Sequence, residues 1–396
     1  MLPSNNRPRH NHCGSETPIK GWLAPIEDDL SGVLHDLCST AAPSGHEDRL
    51  SARVSEHLRS RALHPTTDRL GQVGVTVGSG PGNVTLITAH LDQLGLVITA
   101  IDPRGYLRAQ RLGGVPERVL PGLHMAIHTD KGEIPAVVGV KSHHLTPPED
   151  KYRAQAVGEL FLDVGASTLE DVVSLGVRVG DPCTYRFGWS ALDGGRIATS
   201  SLDDRVGVAT LLALVDRLQA GPAPGTVHLA FTTQEEFHVR GALALVQRYQ
   251  PDVAVNVDVA PATDTPDLAG STPIQLGAGA VLSRMSFHGR GTLGGLIPHP
   301  ALVRLVEEVA QERGCALQYQ AIVGLITDAA FLPMATTEGV AAVDLGIPVR
   351  YTHSPTETAQ LSDVSAAIDL LHGLTLRLGD VDLRRGEASA HGLTQG

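Results

Sequence analysis

Residues 83–95 read NVTLITAHLDQLG, and the fold follows from how this stretch is read. A short, mostly β-branched apolar run, Val84 to Ala89, ends on His90, with Asp92 two places further on. Such a run, bounded by polar residues, has the form of a strand buried on both faces. The form recurs downstream. Residues 226–232 (TVHLAFT) lead into Gln234-Glu235-Glu236, and residues 253–257 lead into Asp258. Between and around these runs the apolar spacing turns helical, over 206–218, 242–249, 300–312 and 362–378. Upstream, Leu30, Val33, Leu34 and Leu37 form one helical stripe, and Leu50, Val54 and Leu58 form another. The turn Pro43-Ser44-Gly45 separates them. Strand and helix in alternation predict an α/β domain.

The pattern changes between 95 and 195. Short β-rich runs (LGLVITAI, MAIHTD, IPAVVGV, ELFLDVG, CTYRFG) alternate there with glycine and proline turns, and long helical patterns are scarce. This predicts a small all-β, barrel-like module. It is inserted into an α/β domain made of residues 28–94 and 196–383. Residues 1–27 and 384–396 are polar and are expected to be flexible extensions.

Composition narrows the function. A formal net charge of -12 argues against nucleic acid or an anionic membrane as partner. No apolar run approaches the roughly 18 residues needed to span a bilayer. The first twenty residues lack the apolar centre of a secretory signal. Cys13, Cys38, Cys183 and Cys315 show no paired spacing, so reduced thiols and a cytoplasmic location are expected. His10, His12 and Cys13 lie together in the N-terminal extension, where a disordered tail competes with a fortuitous metal site.

Five places put a histidine or carboxylate at or just past a strand end, the edge where open α/β sheets build active sites. They are His90 with Asp92, Asp203-Asp204, Glu235-Glu236, Asp258, and His353 in RYTHSP. Each has a plain alternative: a hydrogen-bonded histidine, two acids capping a helix start, a loop-capping aspartate. Together they form a nitrogen and oxygen donor set for Zn²⁺, Co²⁺ or Mn²⁺. A single catalytic zinc takes three protein ligands, so five with an acid to spare point to two ions and a bridging carboxylate. Other signals are weaker. Gly289, Gly291 and Gly294 match GxGxxG without the surrounding strand–helix unit, and neither HExxH nor GxSxG occurs. Ser354 beside His353 has no oxyanion motif with it, and His143-His144 lie in the β module as structural or interfacial residues.

The chain resembles the M42 family of metallo-aminopeptidases, the glutamyl or tetrahedral aminopeptidase group. The resemblance runs from about residue 28 to 380. It rests on AHLDQLG, SLDDRVG, TTQEEFHVRGA, NVDVAPATDTPD and RYTHSP in the family's order, and in the β module on VVGVKSHHL and GELFLDVGAS followed by LGVRVGD. It implies a three-layer, zinc-peptidase-like catalytic domain with two divalent ions, zinc or cobalt, with manganese as a further choice. His90 and His353 would each cap one ion, Asp203 would bridge both across a cis peptide to Asp204, and Glu236 and Asp258 would complete the two sites. Glu235 would be the general base, and Asp92 would orient His90. The inserted module would dimerise, as the building block of a homo-oligomer up to a dodecamer acting on short peptides. Where the family has Glu, Gly and Gly-Gly, this chain has Gln93, His238 and Leu325-Ile326. Those departures leave ligands and base in place and bear on the pocket for the N-terminal side chain. Two other readings stay open at this point: a two-metal amidase or deacylase on the same scaffold, and a non-catalytic assembly protein.

Overall fold

The computed structural model describes residues 25–221, 223–289 and 294–385. His10, His12, Cys13 and Gly291 lie outside the described residues, as do most of the expected extensions.

The large sheet has four neighbouring strands at its centre, in the order Thr226–Thr232, Val84–His90, Val253–Pro261, Ala341–Arg350, all parallel. Parallel strands need crossover connections, and the helices that make them cover both faces. Alternation along each strand assigns the faces. Ile87, Ala89, Leu229, Phe231, Val253 and Val255 pack with helices Leu30–Ser39, Leu202–Ala220 and Leu361–Leu378. Leu86, Ala230 and Ala254 point the other way, onto helix Ala242–Tyr249 and the turns around Ala329 and Leu332. The result is the three-layer α/β arrangement. Aliphatic residues fill it, as the scarcity of aromatic residues requires.

Beyond Ala341–Arg350 come Glu357–Gln360, Arg196–Thr199 and Trp189–Leu192, each antiparallel to the one before. Two reversals bring Arg196–Thr199 back to the direction of the central strands. Its C-terminal end therefore meets the same sheet edge as His90, and Asp203 follows there.

Six strands, Gly95–Ile101, Leu107–Leu112, Leu162–Asp163, Gly132–Val138, His124–Thr129 and Pro182–Tyr185, close into an antiparallel barrel. It has its own core, with Leu96, Ile98, Leu107, Ile127 and Cys183 among the buried residues. The hairpin from Trp189 to Thr199 is already part of the large sheet, although it lies mostly within the 95–195 range read as β module from the sequence. The glycines at 289 and 294 flank a hairpin: Phe287 pairs antiparallel with Gly295. That connection is not the strand-to-helix turn a dinucleotide fingerprint needs.

Candidate metal centre

His90 is the last residue of its strand, so the β geometry delivers its side chain to the sheet edge. Glu235 and Glu236 follow Thr226–Thr232 by way of Gln234, whose φ of 59° turns the chain over the edge. Asp258 lies within Val253–Pro261, at the level of Gly346 on the neighbouring strand. His353 comes from the tight turn after Ala341–Arg350, with Tyr351 and His353 at φ 59° and 69°. Ser201, at φ 67°, leads into Leu202–Ala220, and Asp203 and Asp204 keep non-helical dihedral angles inside that element. The Asp203–Asp204 peptide is cis. Left-handed backbone at non-glycine residues costs energy and gathers at functional sites. Here it falls beside three of the segments that carry the candidate ligands.

The side chains converge. Asp203 stands between the two imidazoles: Oδ1 lies 3.0 Å from His90 Nε2 and Oδ2 lies 3.4 Å from His353 Nε2. Asp258 Oδ1 is 3.8 Å from His90 Nε2, and Glu236 Oε2 is 3.8 Å from His353 Nε2. Ligand atoms of His90, Asp203 and Glu236 lie within 4.8 Å of one another, as do those of His90, Asp204 and Asp258. Asp204 is the poorer donor of the adjacent pair. Its carboxylate already accepts the backbone N–H of His90 and of Gly207, whereas that of Asp203 faces only the imidazoles.

Asp92 sits differently from the arrangement expected. His90 Nδ1 is 3.0 Å from the main-chain oxygen of Asp92 and 3.6 Å from its carboxylate. The carboxylate accepts the Ser44 hydroxyl at 2.6 Å and the N–H groups of Glu235 and Glu236 at 2.8 and 3.1 Å. Asp92 thus fixes the Glu235-Glu236 segment as much as the imidazole.

Burial dominates the electrostatics. Removing water raises the proton affinity of every carboxylate here. Glu235 and Asp258 are pushed well above the usual carboxylate range, and Glu236 up to about 7. Burial would lower both imidazoles. Instead, hydrogen bonds to Asp203 and Asp92 hold His90 well above its ordinary value, and the charge of Glu236 with the bond to Asp203 does the same for His353. Asp203 and Asp92 are the exceptions among the acids: the two imidazole partners of Asp203 outweigh burial and hold it low, and His90, with the Ser44 hydroxyl and the Glu235 N–H, does the same for Asp92. Buried Glu236 Oε1 has no hydrogen-bond partner among the described residues. Converging carboxylates and imidazoles, one carboxylate oxygen among them without a partner among the described residues, fit divalent cations.

Several buried acids around the centre were not singled out from sequence. Glu357 accepts the N–H of Asp203 at 3.1 Å and of His353 at 2.6 Å, and burial beside Asp203 pushes it up to about 8. Glu47 accepts the N–H of Gln234 and Gly45, and burial with the charge of Asp92 pushes it to about 7. Asp328 accepts the Thr232 hydroxyl, and Asp344 accepts the Asn256 amide. The signal available was positional: Glu357 lies four residues past His353, and Glu47 lies next to the turn at Pro43. Fully buried Arg205 balances the acids, donating to the carbonyl oxygens of Leu37, Thr40 and Leu91 and to Gln93 Oε1.

The centre opens into a cleft of about 640 Å³ whose walls include Phe237, His238, Ile322, Leu325 and Ile326.

A family model described as M42 glutamyl aminopeptidase matches residues 71–370. SgcX, an aminopeptidase candidate of Escherichia coli (strain K12), is 33% identical over 86% of this chain and 92% of its own length. The lysyl aminopeptidase of Pyrococcus furiosus is 31% identical over 88% of this chain and 98% of its own. Among solved structures, the TET1 peptidase of Pyrococcus horikoshii, which can assemble into a tetrahedron or a large octahedral shell, aligns with a TM-score of 0.79. It is 29% identical and covers 88% of this chain and 100% of its own.

Proposed function

The chain belongs to the M42 glutamyl aminopeptidase family, and on that premise we propose that it removes N-terminal residues from short peptides at a dinuclear metal centre. One observation carries the reading: the Asp203 carboxylate presents one oxygen to each imidazole. His90 and Asp258 would hold one ion, His353 and Glu236 the other, and Asp203 both. The nitrogen and oxygen donors suit zinc, cobalt or manganese. When bound, such a pair supplies Lewis acidity and a water that is nucleophilic near neutral pH.

Glu235 acts as general base. It is buried beside the candidate ligands, and its N–H is tied to Asp92. Its carboxylate takes the proton of the attacking water and hands it to the departing amine. A carboxylate of raised proton affinity, in its ionised form, is a stronger proton acceptor than a solvated one. The cleft admits the end of a peptide chain.

The barrel serves as the dimerisation module of a homo-oligomer, a reading supported by the shells its TET1 relative forms. Free thiols at Cys38, Cys183 and Cys315 support a cytoplasmic location. No helix among the described residues is long and apolar enough to cross a membrane.

Aminoacyl p-nitroanilides, free and N-acetylated, test the reaction class. Only the free-amine substrates should be cleaved, with activity lost on chelation and restored by Zn²⁺, Co²⁺ or Mn²⁺. Equal cleavage of the acetylated set would mark an amidase or deacylase instead.

A further inference from the structure

His90 and His353 are held by the same device, built from different parts of the chain. A carbonyl oxygen can only accept, so an imidazole Nδ1 next to one must carry the proton, which leaves Nε2 to face a ligand. For His90 that carbonyl belongs to Asp92, within the catalytic domain, and the ring is only 2% exposed, so packing also confines it. The His353 side chain is 36% exposed and lacks that confinement. Its Nδ1 lies 3.1 Å from the carbonyl oxygen of Gly114, in the loop that follows barrel strand Leu107–Leu112. The main-chain oxygen of His353 accepts the hydroxyl of Tyr185 at 3.1 Å, and Tyr185 ends barrel strand Pro182–Tyr185 with its ring in the barrel core.

The fit around Gly114 is close. A Cβ there would stand 2.9 Å from His353 Nδ1 and 3.0 Å from Cε1. At Gly113, with φ 89°, a Cβ would stand 2.5 Å from Leu94 Cδ2 and 3.2 Å from the main-chain oxygen of Glu236. The glycine pair therefore passes directly against the two residues at this half of the centre. Val115, the next residue, is buried in the barrel core, so the loop is fixed at its far end.

The geometry points to the inserted barrel as a working part of the catalytic centre: Gly114 and Tyr185 are positioning residues that set the orientation of His353. The inference rests on the reading of His353 as ligand to one of two ions. It adds that this half of the centre is assembled across the boundary between barrel and catalytic domain, whereas the His90 half is internal to the catalytic domain.

Metal titration of the chelator-stripped full chain by calorimetry, first with Zn²⁺ and then with Co²⁺, tests it. Wild type gives two binding events per chain, and His353→Ala loses one. Tyr185→Phe, which removes only the hydroxyl, should weaken that same event ~10-fold, and Gly114→Ala by ~10–100-fold or to loss, the range for removing a partner that orients a metal-bound histidine. The other event should keep its wild-type affinity and the metal-free variants should still unfold in a single cooperative transition, which general damage to the fold would not allow. Two events of wild-type affinity in both variants would overturn the inference. So would equal weakening of both events in the conservative Tyr185→Phe. If His353→Ala itself leaves both events intact, the ligand reading fails and the positioning role falls with it.

Discussion

Glu235 and Glu236 are neighbours in sequence, and the proposed function gives them separate tasks. Asp92 accepts the N–H of each, so the segment is pinned and their carboxylates are aimed by the backbone. Replacing Glu235 with Gln keeps size and packing while removing the proposed proton carrier. The expected outcome is a kcat lower by ~10²–10⁴-fold with metal content unchanged, measured by steady-state kinetics beside elemental analysis. Near-wild-type turnover would contradict the role. The raised proton affinity of Glu235, Glu236 and Asp258 gives a second test. On this reading these groups are protonated in the metal-free protein, and cations binding there would displace the protons. Metal affinity should therefore rise with pH through neutrality, and calorimetry in buffers of different ionisation enthalpy should show proton release. At this scale the sequence was legible wherever an acid or histidine ended an apolar run, as at His90 and Asp258. It was less so for His353, which sits in a polar turn and gains meaning only from its partners. It was silent on Glu357 and Glu47, whose roles depend on backbone N–H groups that the fold brings to them.

The central strands could be read because burial on both faces leaves unbroken apolar runs. Residues 226–232 and 242–249, read as strand and helix, match the observed Thr226–Thr232 and Ala242–Tyr249. Strand Ala280–Phe287 was not recognised: Ser283, Arg284 and Ser286 interrupt it, and its pairing with Leu317–Val323 carries a register shift. Within Leu202–Ala220, regular helix begins only past Asp203 and Asp204, whose dihedral angles are non-helical, so the apolar spacing over 206–218 reads its regular part. Within the barrel, strand His124–Thr129 carries a titration that reports on its packing. His128 bonds the Thr184 hydroxyl at 2.8 Å, and burial, then the charges of Arg49 and His46, push it down to about 4. An unfolded histidine takes its proton near pH 6.5. The stabilising contribution is therefore complete above about 6.5 and lost as pH falls towards 4, with no further loss below that. Thermal melts across that window should show the decline, and His128→Gln should flatten it. An unchanged slope in the variant would place the titrating group elsewhere.

For the molecule as a whole, the candidate centre exists only when distant parts of the chain meet. His90, Asp203, Glu236, Asp258 and His353 come from five segments of one sheet edge. Glu47 comes from the turn before the second helix, and Gly114 and Tyr185 come from the barrel. The barrel strands lie between Val84–His90 and Leu202–Ala220 in sequence, yet the loop after Leu107–Leu112 returns to the candidate centre to touch His353. The change of pattern near residue 95 coincides with the start of the first barrel strand, Gly95–Ile101, whereas that return contact depends on the relative placement of barrel and sheet and leaves no periodic signature. The central claim, that this edge holds two ions shared by Asp203, is tested most directly by anomalous diffraction from crystals of the full chain loaded with Zn²⁺ or Mn²⁺. Two anomalous peaks about 3.5–4 Å apart are expected, one beside His90 and Asp258, the other beside His353 and Glu236, with Asp203 between them. A single peak, or ions bound away from Asp203, would contradict it.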